Sequence, residues 1–347
     1  MKKFIAIASA ALICGTLALS ACNGDGGAQG GEIAGNYVEI TTAELNEKLN
    51  TFSSNKLFGD TSEEKWKFGA EIGETLDITV ATRSGAEQNS SPLIDGRANL
   101  NGQTQFILTS SQSQTALGGM SLRARSSQKL TGSLKKCELL GLDKDISADY
   151  NVNAFADGEN LYFTLPDLSD LPLDAPPEGK YRLPLQDIID KIKSFLPQTE
   201  ALAEAPDKIS AWAEEYKLKA FADETDGLKI KVSADATSLY AVMENFLDMT
   251  AEQAKAAAAF DAFAVDLYLE TDSEGAFVRA GFTIDIDGSL SLEEGALGED
   301  FPAVYGSVKI KGDVSVKKFA GEVVLPNSEE LNEYTDLLEQ QTEKQMD

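Results

Sequence analysis

The sequence predicts an α+β fold, a large curved antiparallel sheet with inserted helices packed on its concave face. Three observations predict it. Segments in which polar and apolar residues alternate recur in two blocks, near 76–165 and near 216–324, as in strands that cover a core with one face only. Short turns such as Asp157-Gly158-Glu159 and Asp272-Ser273-Glu274-Gly275 join neighbouring segments and make their pairing antiparallel. Runs with helical spacing lie before, between and within these blocks.

The first segment is an address. Met1-Lys2-Lys3 precedes an apolar run from Phe4 to Leu19 that ends in small residues, too short and wrongly flanked for a spanning helix. Leu19-Ser20-Ala21-Cys22 resembles the bacterial lipobox, in which a small residue precedes a cysteine that takes a diacylglycerol before cleavage. The resemblance implies a signal peptide over 1–21 and lipidation of Cys22. Residues 22–31 are nearly all glycine and polar, a flexible tether that holds the body about 15–20 Å from the bilayer. Residues 32–347 are then one α+β domain, with 166–180 as the place where it would divide if it divides.

Within that domain the elements follow in order. Thr41-Thr42-Ala43-Glu44 has capping-box spacing, and Leu45, Leu49 and Phe52 follow at helical intervals, so a helix is expected near 42–53. Trp66 and Phe68 alternate with lysines in an early strand. Strands are expected over 76–81, 98–109, 129–140, 149–156 and 160–165, with 84–95 a connection rich in Gly, Ser, Asn and Pro. Residues 166–177 hold four prolines and form a surface loop. Pro184 sits at a helix start, and Ile188, Ile192 and Phe195 give an apolar stripe that stops at Pro197. A second stretch over 199–215 carries Leu202, Ile209 and Trp212, with Pro206 expected to interrupt it.

Strands resume over 216–222 and 228–233. Asp235 is placed to cap a helix carrying Leu239, Val242, Met243 and Phe246, and the alanine-rich run 252–260 supplies another helix. Strand patterns then cover 264–271, 276–285, 304–316 and 319–324. Asn327-Ser328-Glu329-Glu330 is expected to cap a polar helix reaching 344, whose apolar stripe is Leu331, Tyr334, Leu337 and Leu338.

Composition excludes more than it assigns. Lys and Arg number 30 against 57 Asp and Glu; removing Lys2 and Lys3, the only charges of the leader, leaves 28 against 57, a net charge of −29. Such acidity argues against nucleic acid and against electrostatic adhesion to anionic lipid, so the membrane contact is assigned to the lipid anchor. The chain has no histidine, which removes Ser-His-Asp and Cys-His nucleophiles and every His-ligated metal site. A carboxylate-only hydrolase survives that filter, but no particular pair among 57 acids stands out. No catalytic residue, metal site or cofactor is therefore assigned. With Cys14 in the leader and Cys22 acylated, Cys137 is left alone and reads as a small apolar core residue. Thr283-Ile284-Asp285-Ile286-Asp287-Gly288 carries part of a calcium-loop spacing but alternates as a strand does, with its aspartates facing water.

The lipobox, the run from Phe155 to Phe163 ahead of a proline-rich loop and a helix, and the strand pair followed by the helix at 235–247 together resemble the lipoprotein-carrier architecture of LolA, LolB and the mycobacterial lipoproteins LppX and LprG. That resemblance implies a large curved sheet whose concave face is covered by the inserted helices, with space between them for an apolar or lipid ligand. Ile188, Ile192, Phe195, Leu239, Val242, Met243 and Phe246 are the candidate pocket lining; the same residue types equally fill an ordinary core. The expected function is non-enzymatic: a lipid-anchored protein of the cell membrane or outer membrane, facing the exterior or the periplasm, that binds or carries an apolar ligand. The alternative is an acidic structural or interaction lipoprotein with a fully packed core. No protein partner is identifiable.

Overall fold

In a computed structural model, which describes residues 31–51, 67–84, 92–110, 120–136, 142–169, 176–185, 205–247, 249–290 and 304–337, the two strand blocks join edge to edge into one sheet. The first block is a meander of β2 (Lys67–Arg83), β3 (Pro92–Ser110), β4 (Met120–Leu134), β5 (Ile146–Ala156), β6 (Asn160–Leu165) and β7 (Gly179–Pro184). The second comprises β8 (Lys219–Asp223), β9 (Lys229–Asp235), β10 (Ala258–Thr271), β11 (Phe277–Leu290) and β12 (Val304–Lys318). β12 pairs antiparallel with β2 and fuses the meanders. β1 (Val38–Ile40) extends the sheet at β8, and β13 (Thr335–Asp336) pairs parallel with β7 at the other edge. The result is a 13-stranded, unclosed sheet in the order β1-β8-β9-β10-β11-β12-β2-β3-β4-β5-β6-β7-β13. The α+β class and the large curved sheet thus stand as expected, with one parallel pair making the sheet mixed.

The described helices are α1 (Thr42–Asn50), α2 (Ala205–Glu215), α3 (Ala236–Leu247), α4 (Ala251–Ala257) and the single turn α5 (Ser328–Leu331). Local chemistry fixes their starts. The Thr41 hydroxyl accepts the Glu44 backbone N–H at 3.2 Å while the Glu44 carboxylate accepts the Thr41 N–H at 2.8 Å, the reciprocal capping box. Asp235 accepts the N–H of Thr237 at 2.8 Å and opens α3. α1 and α2 pack on each other and on β8–β9 through Leu45, Leu49, Ala213, Ala220 and Ile230, with Leu269 of β10 alongside. α3 and α4 cover the start of β10 through Met243, Ala254 and Ala258.

Several boundaries differ from expectation for identifiable reasons. Pro206 lies in the first turn of α2, where a missing N–H costs nothing, so it starts the helix instead of interrupting it. Pro184 is the last residue of β7 and Leu185 directly after it is helical, so the chain turns helical where expected, and the remainder of that stretch lies outside the described residues. The alanine-rich helix stops at Ala257, and 258–263, assigned to that helix and the gap after it, open β10 because Phe260 and Phe263 pair across to β11. The pattern at 129–140 belongs to a strand that begins at Met120 and ends at Leu134. Residues 319–324 form no strand beyond the hydrogen bond from Phe319 N–H to the Gly69 carbonyl at 2.8 Å. The helix at 328 keeps its Asn327 cap but is interrupted after Leu331, because the next residues turn Tyr334 onto Tyr162 and enter β13; Leu337 is helical again, and the expected stretch from 338 to 344 lies outside the described residues.

Candidate apolar binding face

Cross-strand partners share a face of the sheet and side chains alternate along each strand, so the register assigns every strand residue to one side. One row runs Val232, Leu267, Phe282, Gly312, Leu76, Leu100, Leu130, Tyr150 from β9 to β5. The adjacent row, on the opposite face, runs Ser233, Asp266, Thr283, Lys311, Asp77, Asn99, Thr131, Asp149. The sheet therefore has one apolar and one polar face across its width. Gly312 interrupts the apolar row only in name, since the Phe282 ring lies where its side chain would be, with Cε1 2.5 Å from the position of a Cβ.

The two faces are finished differently. The first and last described segments, near Gly31 and near Phe319 to Tyr334, cross the polar face. Gly31 passes over β11, its carbonyl 2.3 Å from where a Cβ on Gly281 would sit, so Gly281 leaves room for the incoming chain. Ile33 is buried there, the Tyr37 hydroxyl donates to its carbonyl at 2.9 Å, and the Tyr37 ring leans on Tyr268 with centroids 6.2 Å apart. The Asp223 carboxylate accepts the Asn36 N–H at 2.8 Å and both the N–H and the hydroxyl of Thr225, and these bonds hold its pKa down at about 2. Burial pushes the Tyr37 and Tyr268 hydroxyls well above the ordinary tyrosine range, so both stay neutral hydrogen-bonding groups. At the far side the segment after β12 buries Val323 and sets Tyr334 edge-on to Tyr162 at 5.4 Å.

The apolar face is covered at one end. α1 and α2 pack on each other and, like α3 and α4, meet the sheet at β8, β9 and β10. At the other end Leu185 packs on Ala124, Ala156 and Leu161. Between these ends Leu76, Ile78, Leu100, Leu130, Ile284 and Ile310 are only half-buried, and Leu267 in mid-β10 leaves 54% of its surface exposed. On the same face of β2, β3 and β4, Ile72, Glu74, Thr104 and Ser126 are buried, so the half-buried positions form only part of the central strands. Among the described residues, none of these side chains belongs to the clusters beneath the helices.

Of the residues expected to line a pocket, Leu239 and Met243 sit together against Ala254, Ala258 and Phe260, inside the cluster beneath α3 and α4. Val242 is half-buried on α3. Phe246 falls in α3, its side chain outside the described set, and Ile188, Ile192, Phe195, Cys137 and the lipidation residue Cys22 lie outside the described residues. The strand residues of the open face were missed, because alternation read strand by strand does not reveal which rows remain uncovered. Thr283 to Gly288 lies inside β11, and the Asp285 carboxylate pairs with Lys309 at 3.2 Å. Among the described residues no cluster of acids or cysteines has metal-site geometry, and no helix is long and apolar enough to cross a membrane. No protein-family model matches the chain, and no curated protein matches it either.

Proposed function

We propose that this protein is a lipid-anchored, non-enzymatic protein of the cell envelope that binds an apolar or amphiphilic ligand on the open apolar face of its sheet. The observation that carries this reading is Leu267, which exposes half of its side chain in a row where every neighbour is apolar and half-buried. An apolar surface of this extent is unfavourable in water at about 25 cal/mol per Å², and an acyl chain laid across it removes that cost. The lipobox at Cys22 supports the membrane address, and the polar, chain-crossed opposite face suits the side toward solvent and anchor.

The test is to purify the mature protein from membranes, extract it with organic solvent and analyse the extract by mass spectrometry, alongside titration with a fluorescent apolar probe. Co-purifying lipid beyond the anchor, and saturable probe binding weakened by Leu267→Asp, are the expected results. Neither lipid nor saturable binding would instead favour an interaction lipoprotein whose apolar face is filled by its own chain. The anchor is tested separately: labelled palmitate should enter the wild-type chain and fail to enter Cys22→Ala.

A further inference from the structure

The polar face is not uniform in its chemistry. On β2, β3, β4 and β5 the register sets four successive rows side by side, the first holding Gly73, Gln103, Ser127 and Asn153 and the last Thr79, Arg97, Ser133 and Ser147. Five of the sixteen positions are amides: Gln103 and Asn153 in the first row, Asn101 and Asn151 in the second, and Asn99 in the third. Gly73 apart, every other uncharged position is Ser or Thr. The four charged residues, Asp77, Arg97, Lys129 and Asp149, cancel, and Lys129 pairs with Asp149 at 3.4 Å. An electroneutral block of amides and hydroxyls stands out in a chain with 57 acids against 30 bases, and asparagine is a residue that strands ordinarily avoid.

The block is also open. The N-terminal segment lies over β11 with Lys311 of β12 beside Gly31, and the segment after β12 crosses where Gly69 leaves room for the Phe319 carbonyl. Ile107, in the row of Gly69, is buried, whereas Asn99, Asn101, Gln103 and Asn151 are exposed. Among the described residues the two crossings therefore border the block without covering it. None of the five amide side chains makes a hydrogen bond to a described residue. Gln105, one row beyond, shows the contrast: its amide donates to Glu71 of β2 at 2.6 Å and ties two strands together. The five amides tie nothing, and each holds two donors and a carbonyl acceptor toward the outside.

We propose that this block is a binding platform for an uncharged glycan. A side-chain amide matches two neighbouring hydroxyls of one sugar ring, its N–H donating to one oxygen while its carbonyl accepts from the other hydroxyl, and the serines and threonines between the amides do either. Adjacent strands lie about 4.8 Å apart, close to the length of one pyranose unit, so a glycan laid across β3, β4 and β5 meets Asn101, Lys129 and Asn151 with successive sugars. Charge selects against anionic polymers: Asp77 and Asp149 stand within the block and the whole chain carries a net charge of −27, which repels carboxylates and phosphates. The platform is on the face opposite the apolar one, and it stands or falls independently of the ligand proposed there.

The experiment is affinity electrophoresis of the whole mature protein in native gels cast with a soluble β-glucan, a galactomannan, glycol chitin or anionic polygalacturonate. At least one of the three neutral polymers should retard the protein in proportion to its concentration, and polygalacturonate should not. Asn101→Ala, Gln103→Ala and Asn151→Ala, at exposed positions where a side-chain change leaves the fold intact, should each weaken the retardation by about threefold to tenfold, the worth of one neutral hydrogen bond. Retardation by none of the neutral polymers, retardation by polygalacturonate as strong as by any of them, or retardation unchanged in all three variants overturns the proposal.

Discussion

The helix-covered end of the sheet and its central strands carry the same alternating sequence and meet opposite fates. At β8 and β9, Ala220 and Ile230 are buried beneath α1 and α2, with Leu45 and Leu49 filling the space between. At β11, β12, β2, β3 and β4 apolar residues on the same face, such as Ile284, Ile310, Leu76, Leu100 and Leu130, are only half-buried. An apolar residue in a strand therefore stabilises this fold in proportion to what lies over it, and alternation by itself gives no measure of that. The covered end holds the fold together, and the half-buried strands are where the proposed ligand would meet it.

The sharpest way to break the comparison is at the covered end. Leu45→Ala empties a fully buried position between α1, α2 and the sheet and should cost about 2–5 kcal/mol in denaturant unfolding, whether or not lipid is present. Thr41→Ala removes the α1 capping box and should cost about 1 kcal/mol by the same measurement. A smaller effect is gated by acid. The folded Asp223 titrates at about 2 against an ordinary value of 3.8, so its bonds to Thr225 and Asn36 stabilise the fold fully above about pH 4, and that contribution is lost as pH falls through about 2. Melting curves of wild type and Asp223→Asn should differ above pH 4 and converge near pH 2. A gap that persisted at pH 2 would rule out the carboxylate as the cause. The smallest stability effect belongs to the open face: Leu267→Ser should change unfolding free energy by no more than about 0.5 kcal/mol while weakening apolar-probe binding. A large loss of stability there would mean that Leu267 is a core residue and would remove the contrast between the two regions.

Short-range chemistry was legible from the chain. The Thr41–Glu44 box, the Asp235 and Asn327 caps, the Asp157-Gly158-Glu159 turn and the strand at 160–165 all rest on groups within a few residues of one another, and all stand as read. Where the reading missed, a distant partner had decided. Phe260 and Phe263 are strand because β11 lies beside them, and the helix at 328 is interrupted because Tyr162 receives Tyr334. The candidate residues divide the same way: Leu239 and Met243, one turn apart on α3, lie in the core cluster beneath α3 and α4, whereas Asn101 of β3 and Asn151 of β5 are brought into one row by the strand between them and share no local signal.

By itself the sequence determined the α+β class, the two strand blocks, the helix caps, the acidity and the absence of histidine chemistry, because periodicity, capping and composition are properties of neighbours and sums. Only the tertiary structure decided that β12 pairs with β2 to make one sheet of two meanders, that the first and last described segments cross its polar face, and that the helices gather at one end of the other. The physical reason is that a strand's hydrogen-bonding edge accepts any partner whose register suits its faces, and the choice among them is made by long-range packing that no local pattern encodes.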